Sequence, residues 1–283
     1  MPKALHPDNQ LFSTKAMMLL VEASFKKKNK MRLYQFFICA VFLISTASCN
    51  KSIEVLNTKS IQTFMPLEIG KYILYNLDST VYTNLGTKIE IRSYQIKDTI
   101  QTVTTDNLGR KVFRISRLLR SNTDSNNWKN IFTYNAILDS TKLEIIESNQ
   151  RYLKLMLPIK EGFNWKGNTY VNTVSSPDLQ FLNNWEYRYL DVDKSITINN
   201  IRFNNTISVL QRNDTINNPS NKTVLSEINY SKEVFAENIG LVFKEFKHQV
   251  WQPPNANSNS GYYEENSYGI KLSILRHNFS IPK

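Results

Sequence analysis

Lys88-Ile89-Glu90-Ile91-Arg92-Ser93-Tyr94 and Lys111-Val112-Phe113-Arg114-Ile115-Ser116-Arg117-Leu118 decide the fold class of this chain. In both, polar and apolar residues alternate with a period of two. That spacing gives a β-strand one wet and one dry face, and it does not build the stripe of an amphipathic helix. Lys142-Leu143-Glu144-Ile145, Ser195-Ile196-Thr197-Ile198 and Gly269-Ile270-Lys271-Leu272-Ser273-Ile274-Leu275 continue the pattern. About a dozen such segments, separated by Asn, Asp, Gly and Ser, have the spacing of a sandwich or barrel. The expected fold is all-β: an antiparallel β-sandwich or a strongly curved half-barrel, with at most one or two short helices. Tyr230–Ala236 is the best helical candidate, of at most two turns ending by Gly240. Arg212–Thr223 and Pro253–Ser260, dense in Asn, Ser and Pro, are expected as loops.

Upstream of this body the texture changes. Phe36-Phe37-Ile38-Cys39-Ala40-Val41-Phe42-Leu43-Ile44 is a short apolar run behind Arg32, closed by Ser45-Thr46-Ala47-Ser48-Cys49. A basic n-region, an apolar h-region and small residues at a cleavage site make a secretory signal. A cysteine at the end of that signal makes a lipobox. Cys49 is then acylated and becomes the mature N-terminus. The apolar run falls short of the ~20 residues of a spanning helix, so the competing reading of residues 17–45 as a membrane anchor is set aside. Met1–Ser24 add nothing to such a signal, and translation is expected to start at Met31, with Met17 or Met18 as the alternatives. The resulting division is 1–48 extension and signal, 49–64 lipidated tether, 65–278 β domain and 279–283 tail.

Removing residues 1–48 takes away seven Lys or Arg and two Asp or Glu, so the net charge falls from +11 to +6. The surplus forms no long basic run, which argues against a nucleic-acid partner. Cys39 leaves with the signal and Cys49 carries lipid, so the mature monomer has no cysteine pair for a disulfide.

The signal resembles those of lipoproteins from Gram-negative bacteria. In that group Asp after the lipidated cysteine favours the inner membrane. Asn50 stands there, so the resemblance implies the outer membrane, facing the periplasm since Asn50–Glu54 lacks an acidic cluster. The body is similar to uncharacterised all-β envelope lipoproteins in three phrases: Pro66-Leu67-Glu68-Ile69-Gly70-Lys71-Tyr72, Pro158-Ile159-Lys160-Glu161-Gly162-Phe163-Asn164-Trp165, and Phe235–Glu245. The first two, 92 residues apart, mark either two similar halves meeting near 157 or two ordinary strand entries with a leading Pro.

Catalytic patterns are sparse. His248 and His277 are the only mature histidines, and neither sits in a metal-ligand motif, so no metal or other cofactor is expected. Asp191-x-Asp193-x-Ser195 opens like a calcium loop, but Ile196 and Arg202 stand where Gly and a bidentate Glu are needed. Asp191 and Asp193 share a strand face and are the best pair for carboxylate-dependent hydrolysis, a third-ranked reading. Four Asp-Ser/Thr triplets, at 78, 98, 139 and 214, resemble an envelope O-glycosylation acceptor and are equally turn chemistry.

Aromatic residues carry the binding hint. Trp185, Tyr187 and Tyr189 project from one strand face, either as core or as a row for stacking on a ligand. Trp251 and Tyr262 lie near loops and are candidates for a ligand-facing rim. The expectation is a non-catalytic binding or structural module, anchored to the membrane by its lipid. Its partner is a lipid or amphiphile, or alternatively a glycan or an envelope protein.

Overall fold

The computed structural model describes residues 58–122, 127–256 and 259–279. Cys49, the signal and most of the tether lie outside the described residues. Thirteen strands form a single antiparallel sheet: β1 Tyr72–Thr83, β2 Lys88–Thr105, β3 Lys111–Ser121, β4 Lys129–Leu138, β5 Lys142–Glu147, β6 Gln150–Met156, β7 Asn164–Trp165, β8 Tyr187–Ile198, β9 Ile201–Ile216, β10 Ser226–Ala236, β11 Gly240–Gln252, β12 Tyr262–Tyr263 and β13 Tyr268–His277. The only helices among the described residues are α1, Ile61–Phe64, and a 3-10 turn, Pro177–Leu182. The fold is therefore all-β, and the choice between sandwich and curled sheet falls to the latter.

Two meanders make up the sheet. The order is β6-β5-β4-β3-β2-β1-β13-β11-β10-β9-β8-β7, with β12 appended to β11. The last long strand thus sits between the first strand and β11. The sheet then curls until its ends meet. Leu153 N–H of β6 donates to the Gly167 carbonyl at 2.8 Å, and the Trp165 indole donates to the Leu153 carbonyl at 2.8 Å. Right-handed strand twist with staggered register makes this curling the natural course for a sheet this wide.

Both meanders open on the same turn. Gly70 and Gly162 have φ of +82° and +79°. Gly70 N–H donates to Ile100 O and Ile100 N–H donates to Lys71 O. Gly162 N–H donates to Tyr189 O, and Tyr189 N–H to Phe163 O. The two Pro-x-x-x-Gly phrases thus seat β1 on β2 and β7 on β8 in the same way.

Three expectations need correction. Arg212–Ile216, expected as part of a loop, are the end of β9 and pair with β10. Tyr230–Ala236 is strand, because β10 pairs along its length with both β9 and β11. The tether ends earlier than residue 64. Ser60 caps α1 by accepting from Gln62 N–H, and Ile61 and Phe64 are buried in the main core. That core also holds Ile115, Leu143, Leu155, Ile207 and Val209. A second cluster joins the β8–β9 hairpin end, through Ile198 and Phe203, to Val234, Val242 and Leu272.

Candidate functional site

The lumen carries charge where the alternation promises apolar side chains. On β2 the inward series Ile96, Asp98, Ile100 has a carboxylate at its centre. Arg117 of β3 meets it with Nε at 2.8 Å and Nη2 at 2.7 Å, and the Tyr134 hydroxyl of β4 donates at 3.0 Å. Such a forked, doubly hydrogen-bonded pair is the strong form of an ion pair. Burial by itself would disfavour the charge on the Arg117 guanidinium; the Asp98 carboxylate outweighs it and holds the group well above its ordinary value. Burial, reinforced by Asp98, pushes the Tyr134 hydroxyl far above its ordinary value, so it keeps the proton that it donates to Asp98.

A second ion pair crosses the lumen. Lys154 of β6 places Nζ 2.8 Å from Glu233 Oε1 of β10, although these strands are not sheet neighbours. Lys244 of β11 reaches the same oxygen at 3.4 Å. Burial by itself would raise the Glu233 carboxyl; the two ammonium groups outweigh it and hold it below its usual range. Lys154 also lies over the rings of Tyr152 and Tyr187, at 5.3 and 5.9 Å.

These groups line one cavity of about 80 Å³. Its walls are Ile100, Ile115, Leu143, Ile145, Phe235 and Leu241; its charged lining is Lys71, Asp98, Arg117, Glu147, Lys154, Glu233 and Lys244. Met65, Pro66, Tyr72 and Phe279 complete it near the turn that opens β1. Apolar walls with a few convergent polar groups are the usual make-up of a small-molecule site.

The aromatic residues divide. Trp185, Tyr187 and Tyr189 are core, at 2%, 1% and 0% exposure. Their polar ends are spent internally: the Trp185 indole donates to Phe181 O, the Tyr187 hydroxyl to Asn168 Oδ1, and the Tyr189 hydroxyl to Met156 O. They form no open row on which a ligand could stack. Trp251 and Tyr262 lie together at the far end of the sheet from α1. Trp251 is half-buried and meets Tyr263 edge-on at 5.1 Å, with the Lys222 ammonium 4.5 Å from its ring. Tyr262 is 37% exposed.

Asp191 and Asp193 form no paired acid site. Each sits at positive φ on the surface, and Lys232 and Lys59 take them separately at 3.4 and 2.7 Å. Among the described residues no group of three or more His, Cys, Asp or Glu is placed to hold a metal ion. The Asp98 triplet lies within the luminal network, whereas Asp139 accepts from Thr141 and Lys142 in a turn that exposes Ser140.

Sequence reasoning missed Asp98, Arg117, Lys154, Glu233 and Lys244. The available signal was a charge on the apolar phase of a strand, as in Ile96-x-Asp98-x-Ile100 and Ile115-x-Arg117-x-Leu119. No protein-family model matches the chain, and no curated protein matches it.

Proposed function

We propose that this chain is a lipoprotein of the Gram-negative envelope, anchored at the outer membrane through acylated Cys49. Its curled sheet binds a small anionic amphiphile in the lumen without converting it. The anchor is supported by the sequence alone, in the run that ends at Cys49.

The ligand is supported by one observation: the cavity sets apolar walls against ammonium groups that have donors to spare. Lys154 and Lys244 share a single oxygen of Glu233, and each ammonium has three donors. A carboxylate or phosphate head can take the remaining donors while a short tail lies on Ile100, Ile115 and Phe235. The volume of about 80 Å³ takes a head group and little more, so the rest of a short chain must extend towards Met65 and Phe279, and a whole diacyl lipid is excluded. A purely architectural role explains these charges poorly, because a buried ion pair adds little stability over apolar residues of the same size.

The test is intact-mass analysis of the full chain purified from membranes, with bound small molecules extracted from the same sample. An acylated mass beginning at Cys49, with an anionic amphiphile that no longer co-purifies with Lys154→Met, is the expected result. An acylated chain that carries nothing and gains no thermal stability from octanoate or octyl phosphate would sink the ligand assignment. A chain that retains residues 1–48 would sink the anchor.

The aromatic group at the far end favours a second reading, recognition of a glycan or partner protein through Trp251, Tyr262 and Tyr263. Rings that are partly exposed beside a cation suit such contacts. Trp251→Ala should then abolish retention on immobilised envelope glycan; unchanged retention, or none by the native chain, would dismiss it.

A further inference from the structure

We infer that the rim where the luminal cavity opens faces the bilayer, so that a ligand exchanges between the membrane surface and the lumen. This rests on the lipid anchor proposed at Cys49. The opposite rim, with its aromatic group, then points away from the membrane.

The first observation is where the chain enters the domain. Thr58 is fixed just beyond the end of β6: its hydroxyl donates to Ile159 O at 3.2 Å and accepts from Ile159 N–H at 2.9 Å. Asn238 N–H, in the β10–β11 turn, donates to Thr63 O at 2.7 Å. The entry is thus stitched to the rim made by the ends of β6 and β10. Met65, Pro66, Tyr72 and Phe279, which line the cavity, belong to that same rim.

The second is reach. Nine peptide steps separate Cys49 from Thr58, and whatever their conformation they span at most ~32 Å. β1, with 12 residues, is about 40 Å long and, tilted as strands of a curled sheet are, rises about 30 Å along its axis. Turning the far rim to the head groups would stretch the tether to its limit, whereas the entry rim meets them at any extension.

The third is the character of the rim. Ile69, in the turn before β1, is 58% exposed, and Leu108, at the β2–β3 turn, is 77% exposed. Lys71 and Lys111 stand beside them; Glu68 lies 3.9 Å from Lys71, and Arg110 is taken up by Asp106 and Glu144. Single aliphatic tips with long lysine side chains beside them suit the interfacial zone of a membrane. The far rim exposes apolar residues too, notably Leu85 at 94%. They would meet the bilayer only with the tether stretched to its limit, and this makes them the control.

The experiment places one free thiol at a time in the full, anchored chain, as Ile69→Cys, Leu108→Cys or Leu85→Cys. Each is labelled with an environment-sensitive fluorophore and reconstituted in vesicles of phosphatidylethanolamine and phosphatidylglycerol that contain a nitroxide lipid. All three sites are surface positions, and an unchanged thermal transition verifies the fold. The inference expects a blue shift and loss of intensity at 69 and 108, with 85 behaving as in detergent-free buffer. An equal response at all three, or a response at 85 alone, overturns the orientation and leaves the anchor standing. Failure of the chain to float with vesicles, together with a mass lacking acyl groups at Cys49, overturns the anchor and the orientation together.

Discussion

Asp98 shows what a single luminal charge does to this fold. It is buried and neutralised by Arg117, with Tyr134 as a further donor. Removing one partner strands the other charge in the lumen, which costs about 3–5 kcal/mol. Asp98→Ala should lower the denaturant midpoint accordingly, whereas Asp98→Leu combined with Arg117→Met should recover most of the loss. If the double variant is as unstable as the single one, the pair is not acting as a unit. His248 makes a second residue-scale prediction. It stacks on Phe181 at 3.8 Å, and its Nδ1 lies 2.7 Å from Asn229 Oδ1. Asn229 Nδ2 donates to Glu227, so its oxygen is the acceptor and Nδ1 carries the proton. Nε2 is then a buried lone pair with no partner among the described residues. Burial lowers the imidazole's proton affinity, against the pull of Glu227 and Glu264. A group with depressed folded-state affinity stabilises the fold above its unfolded pKa, near 6.5, and loses that contribution as the pH falls through and below it. Unfolding midpoints should therefore drop on acidification below about pH 6.5, with a shallower drop for His248→Gln. Equal slopes for the two proteins would show that the imidazole titrates alike in the folded and unfolded states. Alternation placed Tyr187 and Tyr189 on one face. It did not reveal that the face was the interior, because an aromatic row reads alike in a core and on a platform.

At the scale of elements, the turns show how much the sequence could and could not convey. The two Pro-x-x-x-Gly phrases were legible, and both fold into one turn that uses a glycine at positive φ. Tyr230–Ala236 was misread because its length is too short for periodicity to decide. Its two strand neighbours, β9 and β11, impose the extended form that local preference left open. The short α1 was invisible for a related reason: a single turn has no period, and Ile61 and Phe64 count only once the lumen exists to receive them. Glycines test the turns. Gly86, at the β1–β2 tip, has φ +80°, and a Cβ there would land on the Tyr263 carbonyl. Gly162 has nearly the same φ, with open space around it. Gly162→Ala should cost about 1 kcal/mol from backbone strain alone. Gly86→Ala should cost clearly more and release the Tyr263 N–H to Gly86 O hydrogen bond. Denaturant titration of the two variants gives the comparison. Equal losses would mean that the β12 segment yields freely and is not fixed to the hairpin.

For the whole molecule, the informative strand is the last. β13 pairs with β1 on one side and β11 on the other, so among the described residues it is the only bridge in the ladder between the two meanders. Its alternation was plain in Gly269–Leu275, yet its position was not, since strand order depends on pairings between distant parts of the chain. The consequence is that neither meander has its long inner edge covered until the end of the chain arrives. Leu272 and Ile274, buried at 1% and 0%, come with it. A chain ending at Ser267 would expose the edges of β1 and β11 together, and uncovered edges of this length invite association. Scattered ties would still join the halves, among them the Leu153–Gly167, Tyr263–Gly86, Tyr75–Leu241 and Tyr189–Met156 hydrogen bonds and the Lys154–Glu233 pair. None replaces a ladder of backbone pairs, and the luminal pair needs a closed wall to stay dry. The truncated chain should therefore lose its cooperative unfolding transition and aggregate, as read by circular dichroism and light scattering. Two separate, sharp transitions would instead identify the meanders as autonomous units. In that event the cavity, which draws its lining from both, would be assembled by docking two folded halves.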